Sequence, residues 1–150
     1  MAGSRGPAYG SGVTSAVRLL RSTDLRHAEY ADAAVVAEGS ELLLLAGVCP
    51  LEDDGTTTAP GDLVAQTRRA LENLDRVLAA SGAARTDLAF LRILVASSRR
   101  DDLGAAWAAV REHLGDLEVP ATLLGVTVLG YADQLVEIEA TAARAAGGGR

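Results

Sequence analysis

Two stretches with helical periodicity, each set between short apolar runs of strand character, predict an α+β sandwich with two helices on one face of a mixed sheet. A third observation concerns the sheet's other face. The run "LLLL" at 42–45 and the segment "ATLLGVTVLG" put apolar side chains on both sides of their strands, so the face away from the helices also needs cover. A chain of 150 residues is about one domain's worth. The domain is assigned to 16–146, and the Gly-rich ends "MAGSRGPAYGSG" and "AAGGGR" are expected to leave flexible tails over 1–15 and 147–150.

"AVRLLRS", starting at Ala16, and "AAVVAEG" read as two short strands. A third strand over about 42–47 ends at Pro50 in the acidic loop "LEDDG". Between 62 and 81, Leu63, Val64, Thr67, Leu71, Leu74, Val77 and Leu78 recur at three- and four-residue steps, the spacing of one helix face. Pro60 and Asp62 suit its first turn and Gly82 its end. "TDLAFLRILVASS" is a strand. Asp101 and Asp102 open a second helix with Leu103, Ala106, Trp107, Val110 and Leu114 on its inner face and Gly115 at its close. "VPATLLGVTVLGYADQLVEIEATAA" supplies two last strands, with Gly130 and Asp133 flanking the turn. Each helix then bridges sheet elements by a right-handed crossover, which gives a sandwich of the ferredoxin-like β-α-β-β-α-β kind. Two helices cover only one face of such a sheet. Oligomerisation is the economical cover for the other; the alternative is that the N-terminal segment folds over it, although "HAEYADAA" has few large apolar residues for the task.

Apolar residues make up 49% of the chain and aromatics 3%, so the core is built from closely packed Ala, Leu and Val. A net charge of −6 and the absence of any basic cluster argue against nucleic acid and anionic membrane surfaces as partners. All 14 basic residues are Arg, which excludes Lys Schiff-base, PLP and P-loop chemistry. The single Cys49 cannot form an internal disulfide, no secretory layout is visible, and the apolar run before Cys49 is too short for a membrane span. A cytoplasmic location is expected.

Strand alternation places Glu137 and Glu139 on one face with Leu135, and Val136, Ile138 and Ala140 on the other. The apolar face belongs against the helices. The glutamates therefore look toward solvent in a monomer or toward a junction in an oligomer, where a carboxylate can act as general base or orient water. No basic residue lies between Thr122 and Arg144 to meet them. Cys49 reads as a small buried hydrophobe rather than a nucleophile, since no His or Asn partner can be named. His27 and His113 are too few for a metal site, and none is expected. Trp107 takes a core position.

Three stretches together resemble the Rid proteins, also called the YjgF or L-PSP endoribonuclease family, over about 28–143. "LLLLAGVCPLEDDG" is similar to the family's SGQIPLD strand and loop, and "QTRRALENLDRVLAASGA" to its first helix. The closing "VPATLLGVTVLGYADQLVEIEATAA" is similar to PARSxVxVxxLPxxxxIEIEAIA. The resemblance implies a chorismate mutase-like fold, a homotrimer with small-molecule clefts between subunits, no cofactor, and hydrolysis of reactive 2-imino and 2-enamino acids to 2-keto acids and ammonia. It carries Tyr30 onto the cleft tyrosine, Gly47 onto the glycine of SGQ, and Glu137 onto the water-orienting glutamate. Ala46 stands for the serine before that glycine and Val48 for the glutamine after it. Thr122 replaces the arginine of PARS, and Leu124 the cysteine two positions on. A charge-assisted hydrogen bond of the kind that arginine makes is worth roughly 1.5–3 kcal/mol, which Thr122 cannot supply. Arg18, Arg26 and Arg92 are the candidates to bring the charge from elsewhere.

The expected function is a Rid-like enzyme acting on a reactive imine, enamine or related metabolite, by hydrolytic deamination or an allied cyclisation, dehydration or tautomerisation. Glu137 would position water or move a proton. Tyr30, Gly47, Thr122, Ala46 and Leu124 would contact substrate. The alternative is a catalytically inactive trimer that binds a metabolite or a partner protein. A ribonuclease, which the older family label suggests, fits poorly with an acidic chain that lacks Lys and a His pair.

Overall fold

The computed structural model describes residues 15–25 and 28–147, so the tail assignments over 1–14 and 148–150, with Arg26 and His27, lie outside the described residues. The elements are β1 (Val17–Leu20), β2 (Ala33–Val36), β3 (Ser40–Leu44), α1 (Leu63–Ala80), β4 (Leu88–Val95), α2 (Arg100–Leu114), β5 (Ala121–Gly125) and β6 (Val136–Ala145). A short 3-10 turn, Arg85–Asp87, leads into β4. β3, β6, β4 and β5 form a four-stranded sheet in that order; β1 and β2 pair separately as an antiparallel ribbon.

Within the sheet β6 is antiparallel to both β3 and β4, while β5 runs parallel to β4. The two last strands therefore do not pair with each other, although the sequence sets them one after the other. Residues 126–135 carry the chain past the end of β4, and β6 enters between β3 and β4. The turn into β6 uses Asp133 at φ +58°, a left-handed conformation that Asp tolerates better than most side chains.

Both helices cover the same face. Asp62 caps α1, its Oδ1 accepting the Ala65 N–H at 2.9 Å, and Gly82 follows the last turn at φ +68°. Leu71, Leu74 and Leu78 of α1 and Ala106, Val110 and Leu114 of α2 pack on Leu91, Ile93, Val95, Val136, Ile138 and Ala140 of the sheet. The buried side of α1 also takes in Gln66, Thr67 and Ala70, whereas Val77, expected on that stripe, is exposed.

The opposite face is largely bare. Leu43 and Leu45 turn toward the core, but Leu42 and Leu44 keep 58% and 79% of their surface exposed. The expectation that the leucine run is covered on both sides is thus not met within one chain. The β1–β2 ribbon contributes a small second cluster, Ala16 and Val17 against Ala89 and Ala143, at one end of the sheet. It reaches neither Leu44 nor Leu124, which is 42% exposed.

Leu74→Ala should lower the free energy of unfolding by about 2–5 kcal/mol. Val77→Ala should change it by less than about 0.5 kcal/mol. Urea titrations of both variants check the contrast, which fixes the rotation of α1 on the sheet.

Candidate functional site

Glu137 lies on the open face, as alternation requires, and what surrounds it is local. Gly47 follows β3 and packs directly under the Glu137 carboxylate: a Cβ built on Gly47 would stand 1.9 Å from Glu137 Oε1. Only glycine admits that approach. The second carboxylate oxygen, Oε2, accepts a hydrogen bond from Gln134 Nε2 at 3.1 Å and faces the Cys49 thiol at 3.6 Å. Gln134 is only 5% exposed; its Nε2 also donates to the Val136 carbonyl at 3.0 Å, and its Oε1 accepts the Tyr131 N–H at 3.0 Å. A second buried amide holds the same turn from α1, where Gln66 Nε2 donates to the Asp133 carbonyl at 2.9 Å and Oε1 accepts the Leu135 N–H at 2.8 Å.

Cys49 is placed by its backbone. Val48 bridges to Ile138 of β6, and Asn73 of α1 donates to the carbonyls of Cys49 and Leu51 at 3.0 and 2.9 Å. Burial pushes the Cys49 thiol up from 9.0 to about 11, and the neighbouring Glu137 charge adds to the shift. At neutral pH the residue is a thiol that can donate to the carboxylate, which makes a thiolate nucleophile a poor reading.

The other acidic residue of the strand has a cation after all. Arg92 of β4 stands beside Glu139 in the sheet register and its Nη1 contacts Glu139 Oε2 at 2.5 Å. Arg92 is also in register with Thr122 of β5, so Glu139, Arg92 and Thr122 form one row across the open face. The next row is Glu137, Leu94 and Leu124. Of the three arginines considered as substitutes for a charge at Thr122, Arg92 is thus its neighbour. Arg18 is exposed on β1, and Arg26 is outside the described residues.

Tyr30 and Thr122 share a different cleft, of about 440 Å³, with Trp107, Ala121 and Leu123. The Tyr30 and Trp107 rings meet edge to face, centroids 5.8 Å apart at 87°. Trp107 touches the core with part of its ring, but its Nε1 donates to Glu29 at 2.7 Å, so it is not the enclosed core indole expected from its helical position. Ala46 and Gly47 stay exposed beside Glu137. The predicted site residues therefore fall into two groups on one chain: Glu137, Gly47 and Ala46 at β6 and β3, and Tyr30 with Thr122 at the β5 edge. Leu124 is also on β5, on the bare face in the row of Glu137. Two strand spacings, about 10 Å, separate β6 from β5.

The residues that sequence reasoning missed are Gln134 and Gln66. A signal existed for Gln66, a polar residue one turn before Ala70 on the buried side of α1. Gln134 had none, because it reads as an ordinary turn residue. Among the described residues no group of three or more His, Cys, Asp or Glu side chains is placed to hold a metal ion.

The family model described as Endoribonuclease L-PSP matches residues 24–144. The chain belongs to this family. No curated protein sequence matches it closely enough to add a named relative. Among solved structures, a Rid-family protein of unknown function from Yersinia pestis, YyfB, is 27% identical with a TM-score of 0.77, covering 85% of this chain and 98% of its own. Rv2704 of Mycobacterium tuberculosis, a YjgF/YER057c/UK114 family member, is 26% identical with a TM-score of 0.57 over 84% and 98% of the two chains. The yeast protein YEO7, at 19% identity, shares the fold with a TM-score of 0.63 over 85% and 98%. Two helices packed on a mixed sheet are thus the L-PSP/Rid fold. Among the described residues no helix is long and apolar enough to cross a membrane.

Replacing Glu137 with Gln removes the charge that adds to burial in raising the Cys49 pKa, so the thiol should ionise at lower pH. Wild-type Cys49 should react with iodoacetamide at neutral pH about a hundredfold more slowly than a thiol of pKa 9.0, in proportion to its thiolate fraction. Glu137→Gln should recover part of that factor, and mass spectrometry of the alkylated chain reads the rate.

Proposed function

We propose that this L-PSP/Rid family member acts on a reactive imine or enamine in clefts formed between copies of the chain. Glu137 is the group that handles water and protons there. The observation that carries this reading is the Glu137 carboxylate itself. One oxygen is fixed by Gln134 and faces Cys49, the other lies over the Gly47 backbone, and the whole group stands on a sheet face with Leu42, Leu44 and Leu124 uncovered. Among the described residues no cation pairs with Glu137, so its oxygens are not taken up by an ion pair and are left to meet water or substrate.

Hydrolysis follows from that arrangement. Glu137 takes a proton from a water molecule as its oxygen adds to the C=N carbon, and the nitrogen gains a proton. The resulting carbinolamine collapses to the carbonyl compound and ammonia, and Glu137 is left as the carboxylate. The same proton transfers serve an allied cyclisation, dehydration or tautomerisation. Gly47 and Ala46 leave the approach to Glu137 open. Thr122 and Leu124 of β5, two strand spacings or some 10 Å from β6 on the same chain, contact substrate together with Tyr30 when a neighbouring copy brings its β5 edge to this Glu137. That separation is the reason for placing the cleft between subunits, in the homotrimer that the resemblance implies. With Thr122 where the family pattern has arginine, the substrate depends less on a carboxylate than an ordinary 2-imino acid does.

Ammonia release from freshly generated 2-aminoacrylate and from imines without a carboxylate tests the proposal. The wild-type chain should outpace buffer on at least one of them, and Glu137→Gln should lower the rate by about 100-fold or more. Release no faster than buffer on every substrate, with saturable ligand binding, would leave a metabolite- or partner-binding trimer as the better reading.

A further inference from the structure

The Tyr30–Trp107 cleft has chemistry of its own. Its two aromatic rings stand nearly perpendicular, 87° apart, and so make two walls of a box. The floor is the β5 edge at Ala121, Thr122 and Leu123, and the space of about 440 Å³ suits a small metabolite. The indole N–H is committed to the Glu29 carboxylate at 2.7 Å, which draws positive charge off the ring and leaves its face more negative.

None of the described residues lining the cleft carries a cationic side chain. The described guanidiniums near it are all engaged: Arg21 by Glu118 at 2.6 Å and the Ala28 carbonyl at 2.9 Å, Arg92, in register with Thr122, by Glu139, and Arg111, one turn after Trp107, by the Leu117 and Gly115 carbonyls. Among the described residues Glu29 has no ion pair, and the whole chain carries a net charge of −6. Among the described lining residues an anionic ligand would find hydroxyl and backbone donors but no opposite charge. A cation would find aromatic ring surface from Tyr30 and Trp107 and a carboxylate bonded to the indole.

We propose that the Tyr30–Trp107 cleft binds a cationic nitrogen, an alkylammonium group or a protonated imine, seated against the indole beside Glu29. This rests on the reading of Tyr30 and Thr122 as ligand-binding residues and names the charge of the ligand they receive. It does not depend on turnover. Binding and ammonia release are separate measurements, so a failure of one is not mistaken for a failure of the other.

Trp107 is the only tryptophan in the chain, so its fluorescence reports this cleft directly. The full-length protein is titrated at constant ionic strength with ethylammonium and choline, with the neutral choline isostere 3,3-dimethylbutan-1-ol, and with 2-oxobutanoate. At least one cation should give a saturable change. The neutral isostere should bind about 3- to 30-fold more weakly than the better cation. Glu29→Gln, at an exposed position, should weaken the cation severalfold and leave the neutral compound unchanged. Tyr30→Phe should retain binding and Tyr30→Leu lose it. Equal or tighter binding of the neutral isostere or the carboxylate would overturn the proposal. So would an unchanged cation affinity in Glu29→Gln, or no saturable response to either cation.

Discussion

The placement of β6 between β3 and β4 is the constraint on which the rest depends. Its ten residues alternate, so that Val136, Ile138, Ala140 and Ala142 enter the core while Glu137, Glu139 and Thr141 stand on the other face. A slip of one residue would drive two carboxylates under the helices and lift Val136 and Ile138 into the open. Burying an unpaired carboxylate costs far more than the loss of a methyl contact, so this register is strongly specified. The entry to the strand is pinned by two buried amides, Gln66 from α1 and Gln134 in the turn, and the second of these grips Glu137 itself. Fold register and site geometry are set by the same few hydrogen bonds.

The two glutamates of the strand, alike in sequence, have opposite electrostatic fates. Glu139 is neutralised by Arg92 across the sheet, while Glu137 meets only the neutral donor Gln134 and a thiol that stays protonated at neutral pH. A carboxylate restrained by neutral donors keeps its orientation without being tied up in an ion pair. That is the state a water-orienting or proton-accepting group requires. The row Glu139, Arg92 and Thr122 shows in addition that a guanidinium does lie next to Thr122, on β4, where it is already engaged by Glu139.

Much of the fold was legible because it rests on local chemistry. The 62–81 helix, with Asp62 and Gly82 at its ends, and the alternation of the last strand follow from spacing and capping alone. The pairing of strands was less legible. Nothing local in "GVTVLGYADQ" reveals that β4 separates β5 from β6, because that is decided by which edge β6 completes. The leucine run was legible only in part: Leu43 and Leu45 find the core within one chain, while the cover expected for Leu42 and Leu44 would have to come from another copy. Trp107 was read from helical phase, which shows that a side chain turns inward but not that its N–H reaches out to Glu29. Gln134 was invisible, since a turn glutamine acquires meaning only through the carboxylate it contacts.

The bare sheet face joins these observations. Leu42, Leu44 and Leu124 are too apolar to be left in water beside Glu137, and the β1–β2 ribbon covers only the far end of the sheet. Closing that face with further copies of the chain would shield the leucines and bring the β5 edge of one copy toward the Glu137 of another. Sedimentation velocity on the full-length protein at micromolar concentration measures this most directly. A stable particle of three times the 15.4 kDa chain mass is the expected result. A single-chain particle that persists as concentration rises would contradict it, because the two groups of site residues would then have no means of meeting.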